Sequence, residues 1–421
     1  MSPRAAGPNT GRRIVVSRTR ELSGTVRAPP SKSHTHRALA VACLARGRST
    51  VHNALLSDDC LATAECFRRL GAVVEFGKAV RVTGVDGRPR AAPFGIDVGN
   101  SGTTLRFLTA VCALCDGETV IDGGGTIRRR PVGPLLRALS DLGARRAESV
   151  PGNGCPPAAV AGRLRGGRVP VYGFSSQFVS ALLLALPLAP RDSVVEAMTL
   201  NSRPYVAMTM EHLERAGAGV RFEEPGTFRI DGGQSYWPSD YAVPGDHSSA
   251  AFLRAAAFIT ESDINITGLD PRDSQPDRAI GGIISQMGVG STRELDLRDM
   301  PDLLPVAAAL GCHAAGTTVL RNVRHSRAKE SDRISAMCAE LRKLRARITE
   351  RPDGLVVTGS ELAGARLDGH NDHRIVMALA VAALRAEGRT VIDGAETLSK
   401  SYPGFVDDLR ALGARIRVVG K

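Results

Sequence analysis

"SKSHTHRALAVACLA", residues 31–45, begins with polar and cationic side chains and ends as an unbroken run of small apolar ones. Ser31 or Ser33 suits an N-cap, where a hydroxyl accepts a free backbone N–H. Lys32 and Arg37 do not suit that end of a helix, because the helix dipole favours anions there. Their presence predicts a bound anion that completes the helix start. A short β-rich run follows, "STVHNA" (49–54), then an amphipathic helix with a Leu-Gly-Ala stop, "ECFRRLGAVVEF" (65–76). The glycine is a C-cap signal, and the apolar residues beyond it read as a strand.

The same plan recurs five more times. Polar turns open apolar helices at "GNSGTTLRFLTAVCAL" (99–114), "GFSSQFVSALLLALPLA" (173–189), "GDHSSAAFLRAAAFI" (245–259), "DMPDLLPVAAALG" (299–311) and "HNDHRIVMALAVAALRA" (370–386). Each is followed by a β-rich run such as "ETVIDGG" (118–124) or "RTVIDGA" (389–395), and then by a second, amphipathic helix. The period is roughly 70 residues, with a shorter fourth unit, which is too long for a rod of small repeats. A chain of 421 residues exceeds one ordinary core, so two domains of three units each are expected. The first helix of each unit is apolar on nearly all faces and is expected to be buried, and the second to lie outside. The polar turns would then gather several helix N-termini at one cleft.

Bulk composition narrows the function. The apolar fraction of 43% and mean hydropathy of −0.07 fit a soluble globular protein. No run reaches the roughly 18 apolar residues of a membrane span, and the basic N-terminus lacks a signal peptide's apolar core. Its first ten or so residues read as a disordered tail. The net charge of +12 favours anionic partners of any kind. Aromatics are only 4%, leaving few stacking platforms for nucleic acid. The eight cysteines, at 43, 60, 66, 112, 115, 155, 312 and 338, sit mostly in apolar helical runs. They read as buried free thiols of a reducing cytoplasm.

The polar turns carry the chemistry. Lys32, Ser33 and Arg37 come from the first unit, Gly102 and Arg106 from the second, and Ser175, Ser176 and Gln177 from the third. Asp302 opens the fifth, with "KESDR" (Lys329, Glu330, Asp332, Arg333) downstream, "NDHR" (371–374) opens the sixth, and Lys400 follows in "LSKSYP". Any one alone has a structural reading as a cap, a tight turn or a surface ion pair. Recurrence at one place in repeated units points instead to a shared cleft. His370 and His373 in "HNDH" suggest a metal, but two ligands three residues apart without a third are a weak signal.

Taken in order, "SKSHTHRAL", "GNSGTTLRF", "RRRPVG", "SSQFVSALL", "SRPY", "GDHSSAAF", "DMPDLLP", "KESDRI", "NDHRIVMALA" and "KSYPGF" resemble the EPSP synthase (3-phosphoshikimate 1-carboxyvinyltransferase) family nearly end to end. The resemblance implies an α/β (α+β) fold of two similar domains, each of three βαβαββ repeats with buried parallel helices, outer sheets and an active site in the interdomain cleft. It implies one domain of residues 1–28 plus 246–421 and another of 29–245, with the first strand in the C-terminal one. The implied reaction moves the carboxyvinyl group of phosphoenolpyruvate to the 5-hydroxyl of shikimate 3-phosphate and releases phosphate, with no metal and no cofactor. Burying two phosphates and two carboxylates requires matching cations and donors, and arginine's fork suits both groups.

Carried over by resemblance, Lys32, Ser33, Arg37, Ser175, Ser176, Ser202, Tyr205, Asp302, His325 and Lys329 hold shikimate 3-phosphate. Lys32, Gly102, Arg130, Gln177, Arg333, Arg374 and Lys400 hold phosphoenolpyruvate. Asp302 is expected as the base toward the 5-hydroxyl, and Glu330 as the group that delivers and removes the methylene proton, with Lys32 and Lys400 stabilising charge. A carboxylate beside Lys329 and Arg333 feels opposed pulls from cations and desolvation. Three positions depart from the family pattern: His36 and His325 stand where Asn is common, and Phe107 where Pro is frequent. The expected partners are the two small-molecule substrates, with no nucleic acid and no membrane, for a monomer in the cytoplasm. Two rivals remain: transfer to UDP-N-acetylglucosamine, which in the sister family uses a loop cysteine (Cys115 and Cys155 are nearest), and a non-catalytic nucleic-acid-binding repeat protein.

Overall fold

The computed structural model describes residues 11–173, 175–288 and 291–420. The expected N-terminal tail falls on residues 1–10 and the end of the fourth outer-helix segment on 289–290, both outside the described residues. The chain divides into two compact units, one of residues 30–244 and one of the described residues up to Pro29 together with those from Gly245 onward. Each unit has its own apolar core.

Twelve α-helices occur among the described residues, in the alternation the repeats predict. In the 30–244 unit they are α1 (Lys32–Leu44), α2 (Asp58–Arg69), α3 (Gly102–Cys112), α4 (Gly133–Asp141), α5 (Ser176–Ala185) and α6 (Arg203–Arg215). In the other they are α7 (His247–Ile259), α8 (Ile280–Met287), α9 (Leu304–His313), α10 (Arg333–Lys343), α11 (His373–Ala382) and α12 (Phe405–Ala411). The odd-numbered helices are the inner ones. α3 packs on α5, and α9 packs on α11 and α7. From Ala38 to Leu44 every α1 residue is buried, as is every α11 residue. Such helices are held by packing on all sides rather than by an amphipathic face. None of the six inner helices carries an acid in its first turn, whereas α2 and α12 each begin with two aspartates. Of the inner helices, α1, α3 and α5 are capped by serines and leave the positive ends of their dipoles without a side-chain anion, whereas Asp246 and Asp372 cap α7 and α11.

The sheets show why six repeats close into two units. Three in the 30–244 unit share one strand order: Asp240–Ala242, Arg48–His52, Ala79–Thr83, Val73–Glu75; then Ile96–Asp97, Glu118–Asp122, Ala158–Ala161, Arg146–Ser149; then Gly167–Val171, Ser193–Ala197, Thr227–Ile230, Val220–Glu223. In each the first pair is parallel and the rest antiparallel. In the second and third of these sheets the parallel pair spans an inner helix, α3 and α5, because parallel strands need a crossover between them. Each first strand comes from the preceding repeat, except that Asp240–Ala242 returns from the end of the unit to lead its first sheet.

The other unit repeats the pattern with strands borrowed from the N-terminus. Ser291–Asp296, Gly316–Arg321, Gly354–Thr358 and Arg347–Arg351 form one such sheet. In the last, Arg13–Ser17 fills the third place between Arg389–Asp393 and Ile416–Val419, led by Arg366–Asp368. The shorter fourth repeat keeps only the parallel pair of Thr25–Arg27 and Asn265–Thr267. Ile14 and Val16, both fully buried, fix the N-terminal strand to this core.

Candidate active site

The candidate residues form two clusters, one in each unit, both built on inner-helix starts. In the 30–244 unit Ser31 is the N-cap of α1, accepting from the His34 N–H at 3.4 Å. Lys32 follows, and its Nζ lies 3.2 Å from the Asp59 carboxylate at the start of α2, with both side chains largely buried. Ser33 gives its carbonyl to Arg37 at 2.9 Å. Arg37 is itself buried: Nε donates to Thr209 at 2.8 Å, a terminal nitrogen donates to the Tyr205 carbonyl at 2.8 Å, and the guanidinium stands 5.6 Å from the Phe107 ring centre. It thus ties α1 to α6. Burial draws its pKa down to about 10, countered by Tyr205, Glu211 and Tyr241, so it stays charged at neutral pH.

Gly102 begins α3 behind the Ser101 cap. A Cβ at Gly102 would fall 1.8 Å from an Arg130 terminal nitrogen and 2.6 Å from one of Arg106. The backbone here has no φ requirement for glycine; the need is for close approach of two guanidinium groups. Arg130 is buried, and Arg106 donates to the carbonyls of Gly102 and Pro131 at 3.1 and 2.9 Å. Ser175 caps α5, Ser176 is its first residue, and the Gln177 amide donates to Thr103 at 3.0 Å. That bond joins the starts of α5 and α3. Ser202 is buried at the α6 cap with φ +57°, a left-handed conformation uncommon outside glycine and asparagine. A buried hydroxyl chain runs from His36 Nδ1 to Thr63 at 2.7 Å and from Thr63 to Thr104 at 2.7 Å, so α1, α2 and α3 are cross-linked just below their first turns. Phe107 lies within α3 and is fully buried.

The second cluster centres on Arg333, whose side chain is 1% exposed. Its Nε donates to Asp372 at 2.8 Å, one terminal nitrogen to Asp302 at 2.7 Å, and the other to Glu330 at 2.6 Å and Asp372 at 3.3 Å. Burial works against this charge, but Asp372, Glu330 and Asp302 overcome it and raise its pKa. Asp302 also meets Lys329 at 3.6 Å and Arg374 at 3.0 Å. Burial alone would push the Asp302 carboxyl up; Arg374, Lys329 and Arg333 instead hold it well below the ordinary range. At Asp302 the cations outweigh burial. Lys329 is lowered by burial, partly offset by Asp302. His325 is buried, and burial with Lys329 nearby takes it down to about 4, so it is neutral at pH 7. Lys400 donates to the Asn371 carbonyl at 2.8 Å.

Two residues that the sequence reading passed over organise these clusters. Asp59 holds Lys32, and its signal was the "SDD" start of α2. Asp372 caps α11 through the Arg374 N–H at 2.9 Å and grips Arg333 at the same time. It stands inside the quoted "NDHR", but one sequence does not say which distant arginine it meets. The "HNDH" histidines separate: His370 bonds Glu340 at 3.0 Å and His373 is fully buried. Among the described residues no group of three or more His, Cys, Asp or Glu could hold a metal ion. All eight cysteines are free, and Cys155 alone is not buried. Burial raises the Cys155 thiol, and Cys115 is fully enclosed, so neither resembles an activated loop thiolate.

The comparisons agree with one another. The family model described as EPSP synthase (3-phosphoshikimate 1-carboxyvinyltransferase) matches residues 16–409. A curated 3-phosphoshikimate 1-carboxyvinyltransferase of Acetivibrio thermocellus is 44% identical over 420 residues, covering 96% of this chain and 99% of that protein. One of Methanothrix thermoacetophila is 46% identical over 424 residues, with 96% and 99% covered. The solved EPSP synthase of Acinetobacter baumannii superposes with a TM-score of 0.81 at 26% identity, covering 97% of this chain and all of that one.

Proposed function

The chain belongs to the EPSP synthase family and transfers the carboxyvinyl group of phosphoenolpyruvate to the 5-hydroxyl of shikimate 3-phosphate, and we propose that the two clusters act together in that reaction. The observation that supports this most is the Arg333 nest. Its carboxylates, together with Lys329 and Arg374, make a buried set of charges matched to each other. Such cations can bind anions by sharing their donors with a substrate carboxylate or phosphate, which loosens their hold on the side-chain carboxylates.

On this reading shikimate 3-phosphate is bound by Lys32, Ser33, Ser175, Ser176, Ser202 and Lys329, with Tyr205 beside it and neutral His325 as a hydrogen-bond partner. Arg37 contributes by holding α1 on α6 and by its charge at that helix start. Phosphoenolpyruvate is bound by Lys32, Arg130, Gln177, Arg333, Arg374 and Lys400 over the bare backbone of Gly102. Asp302 accepts the 5-hydroxyl proton as its oxygen bonds the enol carbon. Glu330, protonated once the substrates draw Arg333 away from it, gives that proton to the methylene carbon and takes one back as the phosphate C–O bond breaks, and the departing phosphate carries off the proton that Asp302 accepted. Positioned acid–base groups of this kind contribute about 10²–10⁴ in rate. Free, mostly buried thiols also suit the proposed cytoplasmic location.

Incubation with phosphoenolpyruvate and either shikimate 3-phosphate or UDP-N-acetylglucosamine, reading phosphate release, tests the acceptor. Release with the first is expected. Release with the nucleotide sugar alone would refute the reading.

A further inference from the structure

His36 has no part in the chemistry described above, yet it heads a hydrogen-bonded chain that ends at the start of α3. It is 1% exposed. Its Nδ1 lies 2.7 Å from the Thr63 hydroxyl on α2, Thr63 lies 2.7 Å from the Thr104 hydroxyl on α3, and Thr104 donates to the Ser101 hydroxyl at 2.6 Å. Ser101 is the cap of α3 and also accepts from the Thr104 N–H at 3.2 Å. The N–H groups of Gly102 and Thr103, between cap and Thr104, meet no acceptor among the described residues, as expected of a helix start. Gly102 is the backbone over which phosphoenolpyruvate was placed above, with Arg130 against it.

The direction of the chain follows from counting hydrogens, since each hydroxyl has one to give. Thr104 gives its own to Ser101, so it accepts from Thr63. Thr63 in turn accepts from His36, which must carry its hydrogen on Nδ1. The Asp59 carbonyl, 3.3 Å from Thr63 and 3.4 Å from Thr104, is the more distant acceptor for both. His36 Nε2 is buried and meets no polar partner among the described residues, so the opposite tautomer would bury an unpaired N–H. Burial, with Lys32 and Arg37 nearby, holds the imidazole well below its ordinary pKa, so it is neutral and has this one hydrogen only.

We propose that His36 is a positioning residue for phosphoenolpyruvate: its Nδ1–H, acting through Thr63 and Thr104, holds the Ser101 cap and so fixes where the first N–H groups of α3 meet the anion. This rests on the placing of phosphoenolpyruvate at the α3 start. The next residue, Arg37, anchors α1 on a different side. It donates to Thr209 on α6 at 2.8 Å, and Thr209 donates to Ser180 on α5 at 3.0 Å. Those two helices bring Ser175, Ser176, Ser202 and Tyr205, the residues assigned to shikimate 3-phosphate. Successive residues of α1 thus hold different helix starts, and loss of the His36 chain should disturb one substrate rather than both.

The test is steady-state kinetics on His36→Leu, His36→Asn, Thr63→Val and the double variant of His36→Leu with Thr63→Val. Leucine fills a similar space without an N–H, and valine keeps the shape of threonine without the hydroxyl. The asparagine amide nitrogen stands as many bonds from the backbone as Nδ1 does. His36→Leu and Thr63→Val are each expected to raise KM for phosphoenolpyruvate by about three- to tenfold, the range of one hydrogen bond. KM for shikimate 3-phosphate should stay within about twofold of normal. His36→Asn should restore KM for phosphoenolpyruvate to within about twofold, and the double variant should be no worse than either single one, because both changes break the same chain. An equal rise in both KM values, an asparagine variant as poor as the leucine one, or additive single effects would overturn the proposal. If His36→Leu fails to fold, Thr63→Val set against Thr63→Ser, which keeps the hydroxyl, carries the same comparison. Arg130→Ala separates this inference from the reading it rests on. If that variant leaves KM for phosphoenolpyruvate unchanged, the placing at the α3 start fails and takes the role of His36 with it. If it raises KM while His36→Leu and Thr63→Val leave it normal, only the role of His36 fails.

Discussion

Gly102→Ala offers the sharpest test of how the phosphoenolpyruvate contacts are built. The added methyl would sit 1.8 Å from an Arg130 nitrogen, so that group must retreat to the 3.4 Å of ordinary contact, by about 1.6 Å. The neighbour that yields is the end of a flexible side chain, so folding should be little affected. Alanine also gains up to about 1 kcal/mol of helix propensity over glycine. Function should suffer instead. A guanidinium hydrogen bond of about 2.9 Å stretched by that amount is no longer one. A charge-assisted bond contributes about 1.5–3 kcal/mol, which is roughly 10- to 150-fold in affinity. Because a long side chain recovers part of this, about tenfold is expected in KM for phosphoenolpyruvate, with KM for shikimate 3-phosphate changed less than about threefold. Steady-state kinetics and a melting curve check both halves. The decisive comparison is the double-mutant cycle with Arg130→Ala. With the Arg130 guanidinium gone, Gly102→Ala should cost much less than in wild type, because only the Arg106 end at 2.6 Å is left to yield. If the glycine change costs as much in that background as in wild type, or leaves KM for phosphoenolpyruvate within twofold of normal, the close packing of Gly102 and Arg130 is not what sets this contact.

Other consequences follow from the same geometry. Glu330→Gln should bind shikimate 3-phosphate normally by calorimetry while kcat falls by about 10²–10⁴; normal turnover would remove Glu330 from the proton transfers. Asp302 should titrate well below the ordinary carboxylate range in the free protein and move upward when both substrates bind, since their anions divert its three cations; carboxyl carbon NMR on Asp302 is the readout, and a constant titration point would contradict it. Away from the clusters, buried Glu340 accepts from the Asp368 N–H at 2.9 Å, His370 at 3.0 Å and Lys343 at 2.8 Å, and these hold its pKa at about 2 against burial. Its folded value is depressed, so its contribution is present above about pH 4.5 and lost as pH falls towards 2. Glu340→Gln should lower stability by about 2–3 kcal/mol at pH 7 and by much less near pH 2, which chemical denaturation at the two pH values would show.

The architecture was legible because it is repeated. One apolar helix opened by a polar turn is an ambiguous signal, but six in order constrain each other, and the six sheets follow that order. The inner helices were readable because burial on every side leaves an unmistakable pattern in "LAVACLA" and "IVMALAVAAL". The closing strands were not readable from pattern. Arg13–Ser17 is an ordinary β run, and nothing local says that it inserts between strands roughly 400 residues downstream; its place in the C-terminal unit was expected from the family resemblance alone. At the clusters, residue types and helix starts were visible, while pairings were not. Lys32 with Asp59, and Arg333 with both Asp302 and Asp372, join residues 27, 31 and 39 positions apart in the chain. Arg37 has a structural part that its position at a helix start did not announce. As a cation at a helix start it reads as an anion contact, yet three of its donors serve α1 and α6.

The pairings also bear on how the reaction is timed. A base with a strongly depressed pKa is a poor base, and Asp302 is in that condition while Arg333, Arg374 and Lys329 surround it. Those cations are also the groups assigned to the substrates. When a phosphate or carboxylate takes a share of them, the field that suppresses Asp302 weakens, and exclusion of water raises its pKa further. Basicity is then gained only when the anions are in place. The same exchange frees Glu330 from Arg333, which otherwise holds its carboxylate at 2.6 Å. On the proposed assignment of Asp302 and Glu330, charge neutrality in the free protein and proton transfer in the occupied one are two states of a single ion-pair network, and the trigger between them is the negative charge the substrates bring.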